Sequence, residues 1–576
     1  MNPPTPISDL RAGSRRRAPP RARLGFFALA IGCLVALPVA AVTLQLFQPA
    51  GDVWQHLAAT VLPRYLRNTA FLVLGVGAGV LVIGVGTAWL VAMCRFPGRR
   101  LFEWLLLLPM AVPTYVIAYA YTDFLQFSGP VQSTLRETTG WGRGDYYFPN
   151  IRSLGGAISL MILVLYPYVY LLTRAAFLEQ SACVLEIGRT LGRRPWRLFS
   201  TIALPLARPA IAGGTALALM EALNDFGAVQ YFGVDTFTTG IYRTWFGMGE
   251  PAAAAQLASM LLLFVLVLLL LERWSRRRAR FFHTSSRYRS LPEFPLTGIP
   301  GALAAAACAV PVLLGFVIPA ALLGSMAITH GDPLFGTGFI EFARNSVTLA
   351  AVTAGLAVLL ALPLCYGMRP GAGPLNRVAA RVAGMGYAIP GSVIAVGVLA
   401  PLGFLDLRLN DWLEGWFGRA PGLIFTGTVV ALVYAYVVRF LAVSINAVEG
   451  SLAKITPSMD GAARTLGQTP ARTLRRVHAP LTRGSLLAAG ILVFVDVMKE
   501  LPATIILRPF DFDTLAVRAY ALASDERLSQ ASTAALVIVA VGIIPVILLS
   551  RALAGSRPGQ IANTNTWAGS SASSTA

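Results

Sequence analysis

Glu186-Ile-Gly-Arg-Thr-Leu-Gly192, followed by Ile202-Ala-Leu-Pro205, returns later in the chain as Gly461-Ala-Ala-Arg-Thr-Leu-Gly467 and Val477-His-Ala-Pro480. Arg189-Thr190-Leu191-Gly192 is repeated identically as Arg464-Thr465-Leu466-Gly467, and each glycine stands 13 positions before its proline (205 − 192 and 480 − 467). Both copies are polar, arginine-rich islands in an otherwise apolar chain. Good helix formers interrupted by a glycine predict a short helix, a glycine-centred turn and a second helix along one face of a membrane. Such a protruding helix suits a partner's groove, and two copies suggest a surface that two copies of something else grip. The plainer reading is an ordinary basic loop between spans.

The repeat extends beyond the islands. Arg67-Asn68 and Arg344-Asn345 are 277 residues apart (344 − 67), and Pro113 and Pro390 keep that offset, each followed by Val-Ile-Ala three residues on. From the islands onward the offset is 275 (480 − 205), which pairs Glu221 with Asp496, Asp225 with Glu500, Ala228 with Ala503 and Arg243 with Arg518.

Composition places this repeat in lipid. The 576 residues are 56% hydrophobic and 13% charged, with a mean hydropathy of +0.64, whereas a soluble domain carries about 25% charged residues. Crossing the hydrocarbon takes roughly 20 apolar residues as a helix, because lipid satisfies no backbone group. Twelve spans are expected, at 24–47, 69–93, 101–123, 154–174, 206–228, 252–271, 299–327, 346–368, 380–404, 422–446, 482–506 and 531–551. The fold class is an all-α polytopic membrane protein of about twelve helices in two tandem repeats of about six. An even number of spans per half makes the repeats parallel, about an axis along the membrane normal. The net charge of +20 comes from arginines clustered between spans, as the positive-inside rule expects, so nucleic acid is not implied. The same rule puts both termini in the cytoplasm. The expected organisation is a basic arm (1–23), a first repeat (24–272) carrying island 186–205, a linker (273–298), a second repeat (299–552) carrying island 461–480, and a disordered tail (553–576). Five scattered cysteines and four scattered histidines make no disulfide framework or zinc site, and no metal site is assigned.

Two constellations inside the spans bear on function. Glu221 and Asp225 are spaced i,i+4 on one helix face late in the fifth span, as are Asp496 and Glu500 in the eleventh. Ionisable groups within spans are expensive and face an interior or a water-filled cavity. Pseudo-symmetry brings the four carboxylates towards the central axis near the outer side, with Lys499, Arg243 and Arg518 as counter-charges. They read equally as an acidic vestibule or gate and as a structural salt-bridge network. Pro113 and Pro390 break their spans, either to line a cavity or as static kinks. Tyr115, Tyr119 and Tyr121 after the first break suit a pore lining or an interfacial aromatic belt.

The islands resemble the cytoplasmic motif of ATP-binding-cassette importer permeases, Glu-Ala-Ala-x3-Gly-x9-Ile-x-Leu-Pro. Glu186, Gly192, Ile202, Leu204 and Pro205 occupy the motif's places in the first copy, with Ile187 and Gly188 where alanines are usual. Ala462, Ala463, Gly467 and Pro480 do so in the second, where Gly461, Val477 and Ala479 depart from it. The segments Ala111–Tyr119, Met220–Gly227, Phe237–Arg243, Met498–Thr504, Leu507–Asp511 and Ala523–Arg527 further resemble the fused, two-half permeases of ferric iron importers. The resemblance implies the MetI-like type I permease fold in the bacterial inner membrane, two copies of an ATPase subunit on the islands, and a periplasmic binding protein delivering Fe(III). No cofactor is expected on this chain. Neither lysine, Lys454 nor Lys499, lies in a Gly-Lys-Ser/Thr phosphate loop, so ATP and Mg belong to the partner subunits and the chain is not itself an enzyme.

Three alternatives bear on this expectation. A thiamine or other small-solute permease shares the fused architecture. A proton-coupled secondary transporter would carry a basic loop after the second span, of which Arg95-Phe-Pro-Gly-Arg-Arg100 is only a shadow. An intramembrane enzyme would need a nucleophile or metal set that the sequence does not offer.

Overall fold

A computed structural model describes residues 20–48, 51–142, 144–179, 195–277, 294–333, 336–368, 374–418, 422–452, 455 and 457–555. Almost everything in these segments is helix, as expected where the backbone must bond within its own segment. Among the described residues, eleven helices are long and apolar enough to cross a membrane, and a pair bent by 90°, Arg99–Ala111 and Thr114–Thr139, makes twelve when counted as one broken span. The spans fall where the hydropathy put them, with two informative differences.

The first concerns the prolines. The residue before a proline is driven out of the α region, and Val112 and Ile389 are both extended. Each is preceded by one short 3-10 turn, Leu108–Ala111 or Gly386–Ala388, and followed by a new helix, Thr114–Leu125 or Gly391–Phe417. Pro113 and Pro390 therefore cap the start of a helix rather than kink its middle. The ninth span accordingly runs Gly391–Phe417 instead of 380–404. Its far end carries Asp406, Arg408 and Asp411, charges that made the sequence look like a loop. Asp406 is buried, and its carboxylate accepts the N–H groups of Ile424 (3.0 Å), Phe425 (2.9 Å) and Thr426 (2.7 Å), turning the chain back towards the tenth span.

The second difference is that sequence repeats and packing units are not the same. The first span, Phe26–Gln45, packs on the eighth and ninth spans of the other half. Tyr434 Oη in the second half donates to the Leu34 carbonyl (2.6 Å), and Gly397 lies so close that a Cβ there would sit 2.2 Å from the Pro38 oxygen. The seventh span, Ile299–His330, packs both on the twelfth span of its own half and on the first half, where Tyr121 Oη donates to the Leu314 carbonyl (2.6 Å). The end of the linker joins the same exchange: Phe294-Pro295 pairs in parallel with Cys94-Arg95.

Polar signposts of the repeat hold the loops. Asn68 Nδ2 donates to the Asp235 carbonyl (2.9 Å) and Asn345 Nδ2 to that of Asp513 (3.2 Å), so each asparagine ties its helix to the loop after the fifth or eleventh span.

Candidate functional site

The fifth and eleventh spans stop abruptly at the same place in the repeat. The helix from Leu204 ends at Asn224 and a five-residue helix, Gly227–Tyr231, follows; the helix from Ala479 ends at Met498 and Pro502–Leu507 follows. Pro502 explains the second break, having no N–H to continue a helix. The first N–H groups of both short helices need acceptors. Asp225 Oδ1 accepts from Ala228 and Val229 (3.1 Å each), and its other oxygen accepts from the Thr114 hydroxyl. Glu500 accepts from the Ala503 and Thr504 N–H groups (3.2 Å each) and from the Thr504 hydroxyl (3.0 Å).

This corrects the expected i,i+4 pairing. Asp225 and Glu500 lie in the breaks, not on the faces of Glu221 and Asp496, because each carboxylate is turned to the helix that follows it. Glu221 and Asp496 remain on the long helices. All four nonetheless line one cavity of about 60 Å³ between the halves, with Thr114 and Tyr115 from the third span and Tyr387 from just before Pro390.

Arg439, on the tenth span (Val429–Leu452), is the cation the sequence reading missed. It is 4% exposed and reaches Glu221 (3.7 Å), Glu500 (3.5 Å) and the Asn224 Oδ1 (2.6 Å). The same Asn224 oxygen accepts the Gly391 N–H (2.6 Å), so residues of both halves meet on it. Gly391 must be small: a Cβ would stand 2.5 Å from Glu500 Oε1 and 2.6 Å from the Arg439 guanidinium. Lys499 pairs with Asp496 (3.0 Å), as expected. Arg243 and Arg518 do not reach the acids. Arg243 binds Asp235 (2.5 Å), and Arg518 makes two bonds to Asp332 (2.9 and 3.0 Å), with neither pair lining the cavity. Their i,i+22 position after the acids is shared, but the chain turns away before it reaches them. The signal for Arg439 was available in the sequence: an arginine in the middle of an apolar span is costly and demands a partner.

The tyrosines are interior rather than interfacial. Tyr115 faces the cavity, Tyr119 packs edge-on against Tyr231 at 4.7 Å, and Tyr121 bonds to the seventh span. Among the described residues, no three His, Cys, Asp or Glu side chains converge as a metal site.

The islands are described unequally. Glu186, Gly188, Arg189, Thr190, Leu191 and Gly192 lie outside the described residues, while Ile202 and Leu204 are half-buried and Pro205 is exposed. In the second copy, helix Pro457–Thr465 ends in a Schellman-type cap: the Gln468 N–H donates to the Ala463 carbonyl (3.0 Å) and Gly467 has φ +71°. Gly467 is there for its backbone, since no atom lies within 4 Å of a Cβ built on it. Ala463 is buried, whereas Ala462, Thr465 and Pro480 are exposed and Leu466 is 77% exposed. Both islands re-enter the membrane through one π-helical turn, Phe199–Ala203 or Leu474–His478, just before Pro205 or Pro480.

The family described as binding-protein-dependent transport system inner membrane component matches residues 81–281. The chain is similar to the Fe(3+)-transport system permease protein FbpB 2 of Haemophilus influenzae, 25% identical over 495 residues, 84% of this chain and 89% of that one. It is also similar to the ferric transport system permease protein FbpB of Actinobacillus pleuropneumoniae, 25% identical over 486 residues, 80% and 66% of the two chains. A shorter relative, the sulfate transport system permease protein CysW of Escherichia coli K12, is 30% identical over 211 residues, 36% of this chain and 70% of that one, about the length of a single repeat.

Proposed function

We propose, for a chain that belongs to the family of inner membrane components of binding-protein-dependent transport systems, that the cargo it carries across the membrane is ferric iron. The chain is a multi-pass permease subunit of an importer. The observation that carries the choice of cargo is the sign of the central cavity: among the described residues, four acids, Glu221, Asp225, Asp496 and Glu500, line it against two cations, Arg439 and Lys499. Fe(III) is a hard cation that prefers oxygen donors, and the full-length relatives are named for ferric iron. A net acidic wall opposes an anion such as the sulfate for which CysW is named.

Glu221 and Asp496 are the carboxylates free to meet cargo, because Asp225 and Glu500 are committed to capping. Arg439 and Lys499 hold that pair while the path is closed. An arriving cation competes for the same oxygens, and parting of the halves separates Arg439 from Glu221 and Asn224. The motor is a rigid-body rearrangement driven by two copies of an ATPase subunit, with ATP and Mg bound there. One copy grips each island through Gly192 or Gly467 and the residues around it, such as the exposed Leu466. The islands and both termini are cytoplasmic in this reading, and a periplasmic binding protein docks opposite.

The test is uptake into proteoliposomes holding this chain, its ATPase and its binding protein. ATP-dependent accumulation of labelled ferric iron is expected, with none of sulfate or thiamine. Accumulation of either of those without iron would overturn the choice of cargo.

A further inference from the structure

Away from the central cavity, the eighth and eleventh spans part to leave a groove of about 420 Å³, within the roughly 300–1,000 Å³ of ligand pockets. Ala354, Gly355 and Val358 line one wall, and Leu487, Gly490 and Phe494 the other. Both walls belong to membrane spans, Gly338–Cys365 and Pro480–Met498, so the groove opens towards lipid rather than water. Leu487 is 68% exposed on its rim.

Glycine inside a helix costs about 1 kcal/mol relative to alanine, and it is usually retained where another helix approaches closely. Gly214 is of that kind, since a Cβ would stand 2.9 Å from the Tyr168 oxygen. Gly355 and Gly490 are not. Nothing lies within 4 Å of a Cβ at Gly355, and only Val358 Cγ2, at 3.8 Å, meets one at Gly490. What these two glycines preserve, from opposite walls, is the space between them.

A charge stands at one end of that space. Residues 483, 487, 490 and 494 follow the 4-3-4 spacing of a single helix face, which puts exposed Arg483 on the groove-lining stripe, one turn before Leu487 on the side of the island. A cation at the edge of the bilayer, continuous with an apolar channel leading into it, matches an anionic phospholipid: phosphate on the guanidinium, one acyl chain along the glycines.

We propose that this groove is a binding site for an anionic phospholipid of the leaflet on the island side, headed by Arg483 and walled by Gly355 and Gly490. An acyl chain seated there fills the gap between the span that leaves the second island and its neighbour. The site is independent of what the central cavity carries.

The test uses the full-length protein in nanodiscs of equal phosphatidylglycerol and phosphatidylcholine, with retained lipid counted by native mass spectrometry. Phosphatidylglycerol should remain on the wild-type protein. Gly490→Leu and Gly355→Leu, which fill the groove from either wall without meeting packed backbone, should each lower its retention about tenfold. Arg483→Ala should keep a lipid but reduce the preference for phosphatidylglycerol about fivefold, the worth of one basic residue near an anionic surface. Unchanged retention in both leucine variants, or equal retention of the two lipids by the wild type, would overturn the proposal. A mass of two chains that collapses to one in the leucine variants would overturn it in favour of a second copy.

Discussion

Four carboxylates that look alike along the chain do two different jobs once their bonds are counted. Asp225 and Glu500 each accept the backbone N–H groups that open a short helix, while Glu221 meets Arg439 of another span and Asp496 pairs with Lys499 three residues further on. Asp225→Ala should therefore act on folding, lowering stability by about 1 kcal/mol or more for the lost cap. Glu221→Gln, which keeps an acceptor for Arg439 while Asn224 and Glu500 still hold that guanidinium, should cost less stability than Arg439→Met and lower ATP-driven uptake at least severalfold. Thermal melts beside uptake assays on the same preparations separate the two; uptake unaffected in Glu221→Gln would remove that residue from the path. Arg439 joins Glu221, Asn224 and Glu500 at 4% exposure, and breaking a buried pair by deleting one partner costs roughly 3–5 kcal/mol. Arg439→Met should show that loss in a melt, and an unchanged melt would mean the network contributes nothing to the closed arrangement.

At the scale of the element, the breaks matter more than the helices. Each half interrupts its third or ninth span at a proline and its fifth or eleventh at an acid, and the four interruptions converge on one cavity. The island turn depends on a single backbone angle. A residue with a Cβ at φ +71° costs about 1–2 kcal/mol, with Asn the exception. Gly467→Val should thus uncouple partner ATP hydrolysis from uptake while membrane insertion is kept, and Gly467→Asn should retain coupling. Coupling intact in the valine variant would show that the second island's turn is not what the partner grips.

At the scale of the whole molecule, the exchange of first and seventh spans makes each half incomplete alone. Cutting the chain between 278 and 293 should leave the two fragments associated in mild detergent, because Tyr434 still holds the first span and Tyr121 the seventh. Each fragment expressed alone should aggregate, the first having lost the spans that pack on Phe26–Gln45 and the second the first-half face of Ile299–His330. Size-exclusion chromatography of the cut protein and of each fragment decides this, and a stable single fragment would count against the exchange as a source of stability.

The helices, their number and the register of the repeat were legible in the sequence, because they follow from local chemistry. Apolar length makes a span, a proline expels its predecessor from the helix, and a glycine permits a left-handed turn. Gly467 could be read that way from its neighbours alone, whereas Pro113 and Pro390 read as breaks within spans and prove to start helices. Which residue answers which was decided only by the tertiary structure. Arg243 and Arg518 share the repeat register with the acids yet bind Asp235 and Asp332, while Arg439 breaks the register and reaches three of the cavity's polar groups. Ion pairing depends on distance through space, and once spans cross between halves, spacing along the chain no longer predicts it.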